Sequence, residues 1–162
     1  MIREDSIHLL NQAVAGELQA VHQYMYFHFL LDDQGLKHLA ELFKRTAIQE
    51  MGHVEQAAER ILFLKGEVDM MAAGPIDRAD EPEAMLAKAM AMELDSAWTY
   101  NQAAVACGAK NDAGTKLLFE RLVKDEENHF AQFERQRDNI KRFGLSYLAL
   151  QSLGEEEMAA PK

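Results

Sequence analysis

The stretch AIQEMGHVEQ (residues 47–56) places Glu50 and His53 three positions apart in a segment patterned as a long amphipathic helix. Residues at i and i+3 lie on the same face of an α-helix. One carboxylate and one imidazole are therefore directed to the same point, as two metal ligands would be. Met51 lies about 100° around the helix from Glu50, so we expect it to face elsewhere. A single Glu-x-x-His pair is common by chance and proves little.

The pair occurs twice in the chain, which makes it informative. Glu126 and His129 repeat the spacing of Glu50 and His53 in the second half of the sequence. Each motif is also preceded by another glutamate, because Glu17 stands before Glu50 at the same separation as Glu93 before Glu126. An internal repeat that preserves acids at matched positions predicts a two-fold symmetric site.

Helix-breaking residues divide the chain into five predicted helices. These span about residues 5–33, 36–65, 80–109, 112–143 and 145–156. Gly35, Gly66 and Gly144 are expected to end three of them, and Pro82 falls in the first turn of the third. Short links make helices 1 and 2, and helices 3 and 4, antiparallel neighbours. We predict an all-α, ferritin-like four-helix bundle with a long crossover between helices 2 and 3 and a short fifth C-terminal helix. The bundle forms a single domain over residues 1–157, with a short tail at 158–162.

Two helices carry stripes of residues that step by three and four, the pattern of a core-facing seam. The stripe in helix 1 contains Leu10, Val14, Glu17, Val21, Tyr24, His28 and Leu31. The stripe in helix 4 contains Phe119, Leu122, Glu126, His129, Phe133, Gln136, Ile140 and Phe143. Polar groups at such positions are costly unless something compensates them.

Bound metal ions would offset the cost of burying this group of polar side chains. The group comprises Glu17, Glu50, His53, Glu93, Glu126 and His129. Four buried carboxylates would repel one another, whereas two divalent cations neutralise their charge. Mixed oxygen and imidazole ligation suits iron or manganese, and the lack of thiolates argues against structural zinc. We therefore predict a dinuclear metal centre.

Composition narrows the function classes. The net charge is −10, which argues against nucleic acid or an acidic membrane surface as partner. The only cysteine, Cys107, excludes an intrachain disulfide or a CxxC metal knuckle, and its alanine-rich surroundings predict a core thiol. No apolar run is long enough to span a membrane and the N-terminus has no signal-like region, so we expect a cytoplasmic protein.

The chain resembles the bacterioferritins over essentially its whole length. The resemblance is carried by AGEL around Glu17, QEMGH at 49–53, ERILFLKG at 59–66, AMELDSA around Glu93 and KDEENH at 124–129. Two Glu-x-x-His motifs in one chain favour this family over ferritins with one histidine at the centre and over encapsulated ferritins. By this resemblance Glu50 and Glu126 bridge two irons. Glu17 with His53, and Glu93 with His129, complete the two metal sites, and all six residues are catalytic.

The resemblance also implies an activity and an assembly. Its members are ferroxidases that oxidise Fe(II) with O₂ or H₂O₂ and store ferric mineral in a hollow 24-mer built from two-fold dimers. The fifth helix would meet its copies around the four-fold axes, and a small ferredoxin-type protein would supply electrons for iron release. Met51 would be the axial ligand of a b-type haem shared between two subunits.

Several points stay open at the sequence level. Arg45 and Gln49 occupy positions where some bacterioferritins carry an extra inner-surface iron site, so the centre could act as a transit pore or through another relay. Tyr24 is either a hydrogen-bond donor to the site or a core residue. His8, His22, His28 and His38 are interpreted as surface or satisfied core residues.

Two other functions compete with iron storage. The first is a non-storage di-iron or di-manganese peroxidase or catalase of the rubrerythrin-like type, although the chain has no CxxC electron-transfer module. The second is a DNA-protecting mini-ferritin, whose site lies between subunits. The complete ligand set within one chain and the acidic N-terminal start disfavour it.

Overall fold

The structure is a computed structural model and describes residues 3–159. Five helices and their connections make up this part of the chain. The helices are α1 (Glu4–Asp33), α2 (Lys37–Phe63), α3 (Pro82–Ala109), α4 (Ala113–Phe143) and α5 (Ser146–Ala159). No strand occurs among residues 3–159. The predicted all-α bundle with its long crossover is confirmed. Helix α5 extends past its predicted end and includes part of the predicted tail, whose residues 160–162 lie outside the described range.

Tight turns join the helices into two hairpins, α1 with α2 and α3 with α4. Gly35 adopts a left-handed backbone (φ +78°) in the first turn, as its predicted capping role requires. At the end of α2 the left-handed residue is Lys65 (φ +67°) and not Gly66. Gly66 is small for a different reason, since a Cβ there would lie 2.8 Å from the Ile7 side chain.

The crossover between α2 and α3 runs along α1, from the end where α1 begins to the end where α1 finishes, so that α3 starts beside the C-terminal end of α1. Side chains of α1 hold its backbone by hydrogen bonds. Asn11 donates to the carbonyl of Glu67 (3.0 Å), and Gln23 donates to the carbonyl of Asp77 (2.9 Å) and accepts from its N–H (2.6 Å). Met70 and Met71 are both exposed on this segment.

The core consists of two apolar clusters within one bundle. One contains the stacked rings of Phe43 and Phe133 and extends to Leu148 of α5, which packs on α2 and α4. The other lies towards the opposite end, around Leu10 and Phe119. Between the two clusters the seams of α1 and α4 carry acids and histidine in place of leucine.

The seam prediction holds for most positions and fails at one end. Phe143 is 57% exposed, because it lies in the last turn of α4. Val21 is only half-buried. Cys107 is a buried free thiol, as predicted, and burial raises its pKa. No helix among the described residues is long and apolar enough to cross a membrane.

An ion-pair and hydrogen-bond hub anchors the start of α4. Asp112 caps the helix by accepting from the N–H of Thr115 (3.2 Å). The same carboxylate accepts from Ser6 of α1 (2.8 Å) and from Arg60 of α2 (2.8 Å). Asp112 therefore ties three helices together at one end of the bundle.

Candidate metal centre

The six residues predicted as ligands come together in the middle of the bundle, between the two apolar clusters. All six are buried, with no more than 3% of any residue exposed: Glu17, Glu50, His53, Glu93, Glu126 and His129. Each of the four long helices contributes at least one of them, α1 and α3 a single glutamate and α2 and α4 the Glu-x-x-His pairs. Spacing on each helix and antiparallel pairing of the hairpins together produce the cluster.

The cluster divides into two overlapping sets of four ligands. One set contains Glu17 and His53, the other Glu93 and His129, and Glu50 and Glu126 belong to both. Within each set the ligand atoms lie within 4.8 Å of one another. Two cations could therefore be held side by side with two shared carboxylates.

The histidines turn the same nitrogen towards the acids. His53 Nδ1 lies 2.9 Å from Glu50 Oε2, 3.1 Å from Glu126 Oε1 and 3.2 Å from Glu17 Oε1. His129 Nδ1 lies 3.1 Å from Glu50 Oε1 and 3.5 Å from Glu93 Oε2. Nδ1 is thus the ligand atom that each imidazole offers to the centre.

Several of these buried atoms make no well-aligned hydrogen bond. They are Glu50 Oε1 and Oε2, Glu93 Oε2, Glu126 Oε1 and His129 Nδ1. Buried polar atoms almost always have a hydrogen-bond partner. A group of buried oxygens and nitrogens that lack one and point to the same place therefore needs another kind of partner. Their oxygen and nitrogen chemistry fits iron or manganese. The residues present therefore fit a pair of divalent metal ions.

Proton affinities in the cluster reflect its crowded charges. Burial and the nearby carboxylates of Glu50 and Glu126 raise the pKa of Glu17 well above its ordinary value, and burial does the same for Glu93. Burial alone would lower the pKa of His129, but its contacts with Glu126, Glu50 and Glu93 outweigh burial and raise it to about 12. Burial opposes ionisation of Glu126, yet contacts with both imidazoles lower its pKa to about 2. Without metal, the cluster therefore retains protons at neutral pH.

Two tyrosines support the outer glutamates in matched positions. Tyr100 donates to Glu17 Oε1 (2.6 Å), and Tyr24, its equivalent in the first half of the repeat, donates to Glu93 Oε1. Tyr24 also packs against Phe43 and Phe133. Both alternatives left open for Tyr24 are thus true at once. Burial and the nearby carboxylates raise the pKa of both phenols, which stay protonated as donors.

The far side of each imidazole has a partner that the sequence reading missed. His53 Nε2 lies 3.2 Å from Asp125 Oδ2, and His129 Nε2 lies 3.0 Å from Gln49 Oε1. Gln49 and Asp125 are equivalent positions of the internal repeat, because each directly precedes a central glutamate. The repeat marks the two positions as equivalent, but only the packing of α2 against α4 shows that they contact the histidines.

A pocket of about 480 Å³ opens beside both histidines. Its walls are polar and include Gln49, Gln56, Asp125, Asn128, Gln132 and Arg135. The pocket connects the imidazole edges of the otherwise buried cluster to the bundle surface.

The remaining predicted residues lie away from the centre. Met51 is 46% exposed, whereas its neighbour Glu50 is fully buried, so the two side chains face different surroundings as expected. His28 is a satisfied core residue with Nδ1 2.9 Å from the carbonyl of Ala40. His8 and His22 are exposed.

Comparison with known proteins shows which family this chain is similar to. Residues 7–143 match the ferritin-like domain family. The chain is 36% identical to a bacterioferritin of Desulfovibrio desulfuricans over 88% of this chain and 80% of that protein. It is 34% identical to one of Rhodobacter capsulatus over 89% of both chains.

Solved structures agree. The D. desulfuricans bacterioferritin, whose di-iron site has been captured in different catalytic states, superimposes with a TM-score of 0.86 over 89% of this chain and 84% of that chain at 36% identity. The R. capsulatus bacterioferritin, with a metal-free dinuclear site and its haem iron in a crystallographic special position, gives a TM-score of 0.89 over 99% and 98% at 33% identity.

Fold and site together define a ferritin-like protein with a buried carboxylate–histidine cluster that could hold two metal ions. The chain belongs to the bacterioferritin family. Iron storage with ferroxidase activity is its function, and the non-storage alternative is not favoured.

Proposed function

We propose that the six-residue cluster is the ferroxidase centre of this chain. Glu17 and His53 would hold one Fe(II), Glu93 and His129 the other, and Glu50 and Glu126 would bridge them. The observation that carries the proposal is that both central glutamates belong to both ligand sets and keep buried oxygens without hydrogen-bond partners. Two substrate ions at one site match a reaction that removes electrons in pairs.

The electron balance follows from the substrates. Each Fe(II) gives up one electron, and O₂ takes two electrons and two protons to form H₂O₂. If H₂O₂ is the oxidant, the same two electrons and two protons give two water molecules. The protein holds both ions close together and offers protons displaced from Glu17, Glu93 and the imidazoles when metal binds. The tyrosine hydroxyls keep the outer carboxylates oriented.

We further propose that the centre is a transit site rather than a permanently filled cofactor. The polar pocket beside His53 and His129 gives the ferric product a way out of the bundle. Gln49 is already engaged with His129, and Arg45 is an exposed cation, so neither supports an iron relay on that surface.

We propose that the second cofactor is a b-type haem shared between two subunits, with Met51 as its axial ligand. Met51 is half-exposed on the face of α2 that turns away from the cluster, and the exposed Ile48 lies one turn before it. The haem iron of the R. capsulatus protein occupies a crystallographic special position, which is a site on a symmetry element. A symmetry-related pair of thioether ligands would suit such a position.

For the assembly we propose a hollow shell, a 24-mer of two-fold dimers. The chain exposes many large apolar side chains, among them Phe29, Ile48, Leu62, Phe63 and Trp98, which is more than a monomer usually leaves in water. Burial between subunits would remove them from solvent. We also propose a cytoplasmic location and a small ferredoxin-type reductant for iron release.

Iron loading tests the storage function. The purified protein would receive repeated aerobic additions of Fe(II), followed by gel filtration and measurement of iron and protein in the same fraction. Storage predicts far more than two irons retained per chain in a large assembly. Rapid turnover of H₂O₂ with no more than two retained metals per chain would support the peroxidase alternative instead.

A further inference from the structure

The two halves of the centre differ in the charge of the group behind each histidine. Behind His53 is a carboxylate, with Asp125 Oδ2 3.2 Å from Nε2. Behind His129 is a neutral amide, with Gln49 Oε1 3.0 Å from Nε2. In both cases the ring nitrogen donates and the oxygen accepts, because an ionised carboxylate or an amide oxygen carries no proton to donate.

The other supports of the two halves are matched. Glu17 accepts a hydrogen bond from the hydroxyl of Tyr100, and Glu93 accepts one from the hydroxyl of Tyr24. Glu50 and Glu126 are shared by both sets. The repeat therefore places the same residue types at the ligand and tyrosine positions of both halves. Positions 49 and 125 differ in charge, because Gln49 is neutral and Asp125 is acidic.

The charge difference has a direct consequence for ligand strength. An imidazole that donates Nε2–H to a carboxylate makes a charge-assisted hydrogen bond, which is stronger than a bond to a neutral amide. The bond fixes the ring orientation and makes Nδ1 more electron-rich, and such partners typically change metal affinity by about 10- to 100-fold. His53 is thus the stronger ligand of the two.

We propose that Asp125 is a positioning residue that makes the Glu17/His53 half of the centre the tighter site, so that the two halves fill in a fixed order. Gln49, at the equivalent place, leaves the Glu93/His129 half weaker. The inference rests on the proposed dinuclear centre and adds an order of binding to it. The first Fe(II) occupies the Glu17/His53 half and the second completes the pair that reacts.

Cobalt crystallography with a limited supply of metal tests the order directly. Anaerobic crystals of the full chain would receive one Co(II) per subunit, and anomalous scattering would give the occupancy of each half. We expect at least about tenfold more cobalt in the Glu17/His53 half. In solution, calorimetry with Co(II) should resolve two dissociation constants separated by a similar factor.

Isosteric substitutions at Asp125 and Gln49 change the charge of each side chain and keep its shape. Asp125→Asn should bring the occupancies close to equal, and Gln49→Glu should do the same by strengthening the other half. The double variant Asp125→Asn/Gln49→Glu should reverse the preference. Gln56→Glu is the matched control, because Gln56 lines the same pocket but bonds the carbonyl of Gly52, and its occupancy ratio should equal that of wild type.

The outcomes separate this inference from the proposed function. Equal occupancy in the wild-type protein, a preference for the Glu93/His129 half, or a ratio that none of the three variants shifts would overturn the order of binding. Cobalt at neither half would instead overturn the dinuclear centre. The Gln49→Glu result stands by itself if Asp125→Asn does not fold.

Discussion

His53 and His129 stack against each other with ring centroids 5.8 Å apart and planes 25° from parallel. The two residues are equivalent positions of the internal repeat on different hairpins, and each turns Nδ1 to the carboxylates between them. The bundle thereby converts two separate Glu-x-x-His motifs into one centre with shared glutamates.

Metal binding should depend on pH because protons must leave the cluster first. The raised pKa values of Glu17, Glu93 and His129 (about 12 for the last) mean that these groups hold protons at neutral pH without metal. The pKa of Glu126 is lowered to about 2, so this group has no proton to lose. Metal binding releases these protons, so a rise in pH favours it, and Co(II) affinity should therefore increase between about pH 6 and pH 8.

Calorimetry of Co(II) binding in two buffers with different protonation enthalpies measures the protons released. More than one proton per chain is expected. Affinity that is flat with pH and a heat that is the same in both buffers would contradict the assigned proton affinities.

The two tyrosines should contribute to metal affinity through their hydroxyls. Tyr100→Phe removes the hydrogen bond to Glu17 but keeps the ring against Phe119. We expect Co(II) binding to weaken by about tenfold with little loss of thermal stability. Tyr24→Phe should behave alike at Glu93, since its contacts with Phe43 and Phe133 remain. Unchanged affinity in both variants would reduce the tyrosines to packing residues.

Haem and iron chemistry should be separable. Met51→Leu should remove the Soret absorption of the purified protein while the rate of Fe(II) oxidation stays close to wild type, because Met51 faces away from the buried cluster. Met71→Leu, at an exposed methionine of the crossover, is the control and should keep its haem. Haem retained at full occupancy in Met51→Leu would show that another residue is the ligand.

The hub at the start of α4 should matter for stability and not for chemistry. Asp112→Ala removes the helix cap and the carboxylate to which Ser6 and Arg60 donate, so the free energy of unfolding should fall by about 2 kcal/mol. Asp5→Ala breaks only an exposed ion pair with Lys110 and should change it by less than about 0.5 kcal/mol. Urea unfolding of both variants provides the comparison, and equal effects would contradict the role of Asp112.

Much of the fold was predictable because two signals agreed. Breaker residues set the helix ends, and the internal repeat required two equivalent hairpins. The residues of the cluster stood out because Glu17, Glu126 and His129 interrupt apolar seams, where uncompensated polar groups are costly. The convergence of the six side chains then followed from helix geometry and antiparallel pairing.

Other features depend on three-dimensional context. Phe143 continues the seam in sequence, but it lies in the last turn of α4 and remains exposed. Asp125 and Gln49 look like ordinary polar residues of a solvated face, and only the packing of α2 against α4 shows that they contact histidines. Gly66 looked like a helix cap, whereas the close side chain of Ile7 is what requires its small size.

Fe(II) oxidation by the Glu126→Ala variant tests the central claim most directly. Two Fe(II) per chain would be added aerobically, and ferric absorbance would be followed against wild type and against Glu127→Ala, a control at the exposed neighbouring acid. Loss of the shared carboxylate should abolish rapid oxidation, while Glu127→Ala should match wild type. Rapid oxidation at the wild-type rate by folded Glu126→Ala would contradict the assignment of the centre.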